Sequence, residues 1–115
     1  MSEVEVFEAL KYRVEVNEWG TRRYFNSANQ LHRECGPAIT DTNGNQWWYQ
    51  NNLLHRVDGP AVECTGGGVG RYWYQNGLLH REDGPAIIFE DGDKRWYING
   101  EELTEAEFNQ RVKNV

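Results

Sequence analysis

Long apolar runs are missing from this chain. Nothing in it approaches the roughly 18–20 consecutive apolar residues that a membrane-spanning helix needs, so membrane insertion is not expected. The opening Met-Ser-Glu-Val-Glu-Val lacks a basic stretch followed by an apolar one, which argues against a signal peptide. Two cysteines, Cys35 and Cys64, are too few for a disulfide scaffold, and no Cys-x-x-Cys pair offers a zinc site. Free thiols suit a cytoplasmic protein. Basic charge is in deficit: 12 Lys and Arg stand against 18 Asp and Glu, a net −6. Nucleic acid is therefore an unfavoured partner, because phosphate binding rests on a basic surface. The acidic excess lies at the two ends, in Glu3, Glu5 and Glu8 and in Glu101, Glu102, Glu105 and Glu107, while the middle is near neutral. Proline is scarce, and all 3 copies fall inside one recurring phrase.

That phrase is His-Arg-x-x-Gly-Pro-Ala, at 32–38, 55–61 and 80–86. An aromatic pair precedes each copy: Tyr24-Phe25, Trp48-Tyr49 and Trp73-Tyr74. A fourth unit starts at Trp96-Tyr97-Ile98-Asn99-Gly100 and then changes character at Glu101. A period of this size marks a chain built by repeating one supersecondary unit. With 115 residues the whole is one domain. Hydrophobic content is only 38%, so the 13% of aromatic residues must carry much of the buried surface.

The third unit shows the expected local structure. Arg71-Tyr72-Trp73-Tyr74-Gln75 is rich in strand formers. Asn76-Gly77 is a two-residue hairpin signal, because a type I′ turn needs positive φ at both central residues. Leu78-Leu79-His80-Arg81 continues as a second extended piece, Glu82-Asp83-Gly84-Pro85 breaks it, and Ala86–Phe89 extends again. Asn51-Asn52 replaces Asn-Gly in the second unit, and the first has Ser27-Ala28 there. Asn43-Gly44 connects the first two units, and the longer Thr65–Gly70 connects the second and third. The expectation is an all-β antiparallel meander of about seven to nine strands, one hairpin per unit. Residues 1–16 supply N-terminal capping strands, with Val4 and Val6 beginning one of them; 17–100 hold about four repeats; 101–115 form a C-terminal cap. In that cap Thr104 and Glu107 form a capping-box pattern ahead of a short helix, whose Phe108 and Val112 cover the sheet end.

The pattern Trp-Tyr-x-Asn-Gly, then His-Arg-x-Asp-Gly-Pro-Ala, then Asp-Gly, over residues 17–100, resembles a variant of the MORN-type repeat found in bacteriophage and bacterial proteins. The resemblance implies runs of β-hairpins that act as protein-interaction scaffolds. A phage-encoded inhibitor or modulator of a host protein, such as a defence or nucleic-acid-processing enzyme, is one such role, and an antitoxin-like partner is another. The first unit departs from the pattern by carrying Cys35 where Asp58 and Asp83 stand, and the fourth loses the His-Arg phrase.

Recurrence separates structural residues from candidate sites. Catalysis needs one asymmetric constellation, whereas His32, His55 and His80 recur unit by unit, together with Arg33, Gly36 and Pro37; Arg56, Asp58, Gly59 and Pro60; and Arg81, Asp83, Gly84 and Pro85. These are read as a structural motif, each His hydrogen-bonding the turn of its own unit. Arg56 with Asp58 and Arg81 with Asp83 are expected as local ion pairs, with Arg also able to stack on a Trp face. Equivalent histidines two strands apart would lie roughly 10 Å from each other, too far to share a metal. No catalytic residue, metal or cofactor is expected. The Gly66–Gly70 run lacks the Lys-Ser/Thr of a phosphate loop. Partner contact is assigned to the aromatic rows, Trp47, Tyr49, Tyr72, Tyr74 and Trp96, to Arg56 and Arg81, and to the acidic Glu101, Glu102 and Glu105. Another protein is the expected partner; stacking of the aromatic and Arg rows on nucleic acid or a small ligand is the alternative. Self-association through an edge strand is a further possibility.

Overall fold

The computed structural model describes residues 11–65 and 70–113. Among these residues thirteen short strands are followed by one helix: β1 (Arg13–Val16), β2 (Arg22–Phe25), β3 (Ile39–Thr40), β4 (Gln46–Trp47), β5 (Tyr49–Gln50), β6 (Leu53–Leu54), β7 (Val62–Glu63), β8 (Gly70–Tyr72), β9 (Tyr74–Gln75), β10 (Leu78–Leu79), β11 (Ile87–Phe89), β12 (Lys94–Ile98), β13 (Glu101–Leu103) and α1 (Glu105–Lys113). Nine strands form one antiparallel sheet in the order β1-β2-β3-β4-β7-β8-β11-β12-β13, and β5–β6 and β9–β10 are separate two-stranded hairpins. The all-β meander with a terminal helix is as expected. The proposed strand at Val4 and Val6 lies outside the described residues, as does most of the Gly66–Gly70 run.

The strand count exceeds seven to nine because the aromatic strand divides at its Trp. The Trp48 N–H donates to Ala61 O at 2.7 Å, while Trp48 O accepts from His55 N at 3.0 Å. Trp73 does the same with Ala86 O, 2.7 Å, and His80 N, 3.0 Å. Each Trp therefore hands the chain from the nine-stranded sheet to its own small hairpin. Each interior unit thus takes part in a tight hairpin and in the main sheet, rather than in one hairpin alone. In the fourth unit, where the phrase is lost, β12 runs unbroken through Trp96.

The turns follow two recipes. Asn51-Asn52, Asn76-Gly77 and Asn99-Gly100 all have positive φ at both residues, as type I′ turns require. Five-residue turns at Asn17–Thr21, Asn26–Gln30, Asp41–Asn45 and Phe89–Asp93 close with a first-to-fifth N–H···O bond and a positive-φ fourth residue, Gly20, Asn29, Gly44 or Gly92. In three of them the first side chain accepts two backbone N–H groups: Asn17 Oδ1 from Trp19 and Thr21, Asn26 Oδ1 from Ala28 and Gln30, Asp41 Oδ1 from Asn43 and Asn45. Desolvation raises the pKa of Asp41, but the Asn45 side chain and the Asn45 and Asn43 N–H groups outweigh it and hold the carboxyl below its ordinary value.

Strand register sorts the main sheet into two faces. Ile39, Trp47, Val62, Tyr72 and Ile87 pair in series along one face, and Thr40, Gln46, Glu63 and Arg71 pair along the other. The core is thin: among the described residues no large side chain is fully buried. Among the described residues, the core residues with 0% exposure are Ala38, Ala61 and Ala86, the last residue of each phrase. At the C-terminus the capping box forms as expected: Thr104 N donates to Glu107 Oε1 at 2.9 Å and Glu107 N to Thr104 Oγ1 at 3.1 Å. Phe108 is buried against β12 and β13, but Val112, expected beside it, is exposed.

Candidate functional site

The His-Arg-x-x-Gly-Pro-Ala segment carries the chain from the small hairpin back to the main sheet, and most of its residues have a contact that explains them. The guanidinium lies over the ring that opens its own unit: Arg33 over Tyr24 at 4.0 Å, Arg56 over Trp48 at 3.8 Å, Arg81 over Trp73 at 3.9 Å. Its Nη1 donates to the carbonyl of the Pro, Pro37, Pro60 or Pro85, at 3.3, 3.2 and 3.1 Å. Its Nε donates to Asp58 at 3.0 Å in the second unit and to Asp83 at 2.8 Å in the third, the expected ion pairs. Gly59 and Gly84 lie against the other side of the guanidinium: a Cβ there would stand 2.8 and 2.9 Å from Arg Cζ, and at Gly36 3.0 Å. Ring, guanidinium and glycine backbone thus form a three-layer stack.

The histidine contact differs from expectation. Each His bonds the turn of the next unit, not its own: Asn51 N donates to His32 Nδ1 at 3.1 Å, Asn76 N to His55 Nδ1 at 2.9 Å, and Asn99 N to His80 Nδ1 at 2.9 Å. The physical reason is the stacking of hairpins edge to edge, which brings the following turn over the imidazole. Beside each bond runs a second pair of backbone links: Asn52 N to Leu31 O, Gly77 N to Leu54 O and Gly100 N to Leu79 O, with Arg33 N to Tyr49 O, Arg56 N to Tyr74 O and Arg81 N to Tyr97 O. The phrase is therefore a joint between successive units.

The residues assigned to partner contact are dispersed. Trp47, Tyr49, Tyr72, Tyr74 and Trp96 are all half-buried rather than displayed as an open row. Burial, then the neighbouring Tyr72 and Tyr49 hydroxyls, pushes the Tyr74 phenol above its ordinary value. Arg56 and Arg81 are occupied in their stacks. Glu101 pairs with Arg111 at 3.4 Å, Glu102 accepts from Arg95 and from the Tyr97 hydroxyl at 3.1 Å each, and Glu105 sits exposed in the first turn of α1.

Two exposed features escaped the sequence reading. Trp19, at the tip of the β1–β2 hairpin, is 73% exposed, and Val16, at the end of β1, is 56% exposed. The Asn-x-x-Gly turn signal at 17–20 was the available clue, because it places Trp19 on a loop tip rather than on a strand. The second is a groove of about 590 Å³ between the crossings of the second and third units, lined by Val57, Asp58, Trp73, His80, Glu82 and Asp83. Val57 there is 77% exposed. Only comparison of the x positions, Glu34, Val57 and Glu82, could have singled it out. Among the described residues no group of three His, Cys, Asp or Glu side chains could hold a metal, and no helix is long and apolar enough to cross a membrane. No protein-family model, no curated protein and no solved structure matches this chain.

Proposed function

We propose that this is a cytoplasmic, non-enzymatic protein-interaction module of the MORN-like repeat type, whose partner is another protein and whose contacts lie on what differs between units. The observation that carries the reading is the 73% exposure of Trp19 at a hairpin tip, while the repeated residues are engaged in internal joints. Trp is the residue type most enriched among interface hot spots, and a large ring held on a rigid tip loses little entropy on docking. The groove at Val57 supplies a second contact of mixed charge, with Asp83 paired to Arg81, Asp58 paired to Arg56, and Glu82 beside His80. An inhibitor or antitoxin-like modulator of a nucleic-acid-processing enzyme fits the net charge of −6.

The test is capture of partner from the native host by the tagged full chain, compared with Trp19→Arg and Val57→Lys. Both side chains are exposed, so each variant should keep its unfolding midpoint, with stability changed by no more than about 0.5 kcal/mol. Loss of the same partner from either variant supports the reading. A partner retained equally by both, or tryptophan quenching by single-stranded oligonucleotides with a steep salt slope, overturns it in favour of the rows of aromatic and Arg side chains.

A further inference from the structure

The three inter-unit joints share one chemical requirement. A neutral imidazole has one donor and one acceptor nitrogen, and a protonated imidazole has two donors and no acceptor. His32, His55 and His80 each use Nδ1 as the acceptor for the next unit's Asn N–H. The hydrogen of each neutral ring is thereby assigned to Nε2. In the third unit a carboxylate supports that assignment, because His80 Nε2 lies 3.3 Å from Glu82 Oε1. In the first unit His32 Nε2 is 3.8 Å from Glu34 Oε1, and in the second the exposed Val57 takes the equivalent place.

We propose that the repeat array is acid-sensitive by construction: proton uptake on His32, His55 and His80 replaces three acceptors with donors that face the N–H groups of Asn51, Asn76 and Asn99, and the units unlatch. The groups around each ring set the rest of the balance. His32 faces Glu34, which is itself bonded to Lys11, and the Tyr12 ring at 6.2 Å. The charged groups adjoining His55 along the chain, Arg56 and Asp58, are bonded to each other. His80 is 7% exposed, faces Glu82, and lines the groove that also holds Asp58, Arg81 and Asp83. The carboxylates at Nε2 accept its hydrogen in either protonation state, so they do not restore the bond lost at Nδ1. The sign follows from the geometry: each joint is made while its ring keeps an unprotonated Nδ1 and is lost when that nitrogen takes up a proton. Asp41 and Glu107, which the fold also holds below their ordinary values, are held there by groups other than the histidines, whereas Glu34 is lowered first by Lys11 and also by His32.

The full chain should be unfolded in urea at a series of values between about pH 8 and about pH 5, with histidine ring nitrogens followed by 1H–15N multiple-bond correlation. The expected result is an unprotonated Nδ1 in all three rings at the alkaline end. On acidification the unfolding constant should then rise by up to about tenfold per pH unit for each joint. The variants His32→Asn, His55→Asn and His80→Asn keep an acceptor oxygen near the Nδ1 position without the titration. Each alone should remove part of the slope, which keeps the test independent of whether the triple variant folds. A hydrogen on Nδ1 at the alkaline end, a flat wild-type profile, or a slope unchanged in the single variants would overturn the proposal.

Discussion

In the third unit Arg81 lies 3.9 Å from the Trp73 ring and bonds Asp83 and Pro85 O; in the first, Arg33 lies 4.0 Å from a Tyr24 ring and bonds Pro37 O, with Cys35 in the place of the acid. Two of the contributing residues have changed and the geometry has not. The stack and the proline carbonyl are common to both crossings. The fourth unit makes the converse point. There Leu103 stands where His80 stands in the third unit, and the N–H of Thr104, at the Arg81 position, is taken by Glu107. Glu101, at the position of the exposed Leu53 and Leu78, is tied to Arg111. The features with which a unit receives its successor are replaced, and the array ends in a helix.

The comparison can be broken most forcefully at the guanidinium. Arg81→Ala removes a partly desolvated cation–π contact, about 0.5–2 kcal/mol, and charged hydrogen bonds of about 1.5–3 kcal/mol each. An overall loss of about 2–4 kcal/mol is expected by urea unfolding, because the contributions overlap. Arg56→Ala should match it, and Arg33→Ala should cost less, since Tyr is a weaker cation partner than Trp. Equal losses at all three would contradict the ranking.

A smaller effect is expected from the glycine layer. Gly59→Ala and Gly84→Ala place a methyl 2.8 and 2.9 Å from Arg Cζ and force the guanidinium off its ring. Overpacking of this kind costs about 1–3 kcal/mol. Thermal unfolding should show both variants destabilised, with indole fluorescence altered where the stack is displaced.

Smaller again is the acid. Cys35→Asp gives the first unit the side chain of the other two, and a gain of no more than about 1 kcal/mol is expected, because the site is exposed. A larger gain would mean that the acid, rather than the stack, organises the crossing.

The most local effect concerns the end of the array. The Thr104 N–H, then the Thr104 hydroxyl, hold the Glu107 carboxyl below its ordinary value. A depressed carboxyl contributes stability above its unfolded value, about 4.3, and loses it as pH falls. Helix circular dichroism should therefore decline below that range in the wild type and less so in Glu107→Gln, while the interior units respond equally in both.

The repeat, the type I′ turns and the capped helix were all legible in the sequence, because each rests on short-range chemistry: Asn-Gly supplies positive φ, and Thr104 and Glu107 reach each other three residues apart. The divided strands were not legible, because whether Trp48 continues one ladder or changes partner depends on Ala61 and His55 meeting it in space. The histidine contact was misjudged for the same reason: the partners of His32, His55 and His80 lie 19–21 residues away, in a unit that local reasoning treats as separate. Trp19 was overlooked as a candidate because it lies outside the repeated phrase, and Val112 was misplaced because the helix packs through Phe108 alone among its described apolar residues.

If the phrase joins one unit to the next, the amide hydrogens of Asn51, Asn76 and Asn99 are held by the preceding imidazoles, and their exchange rates report it. All three sit in exposed turn tips, where an N–H ordinarily exchanges at once. At neutral pH they should exchange slowly, and each should lose its protection when the preceding His32, His55 or His80 is replaced by Ala. Fast exchange at all three in the wild type, or protection that survives loss of the imidazole, would contradict the claim.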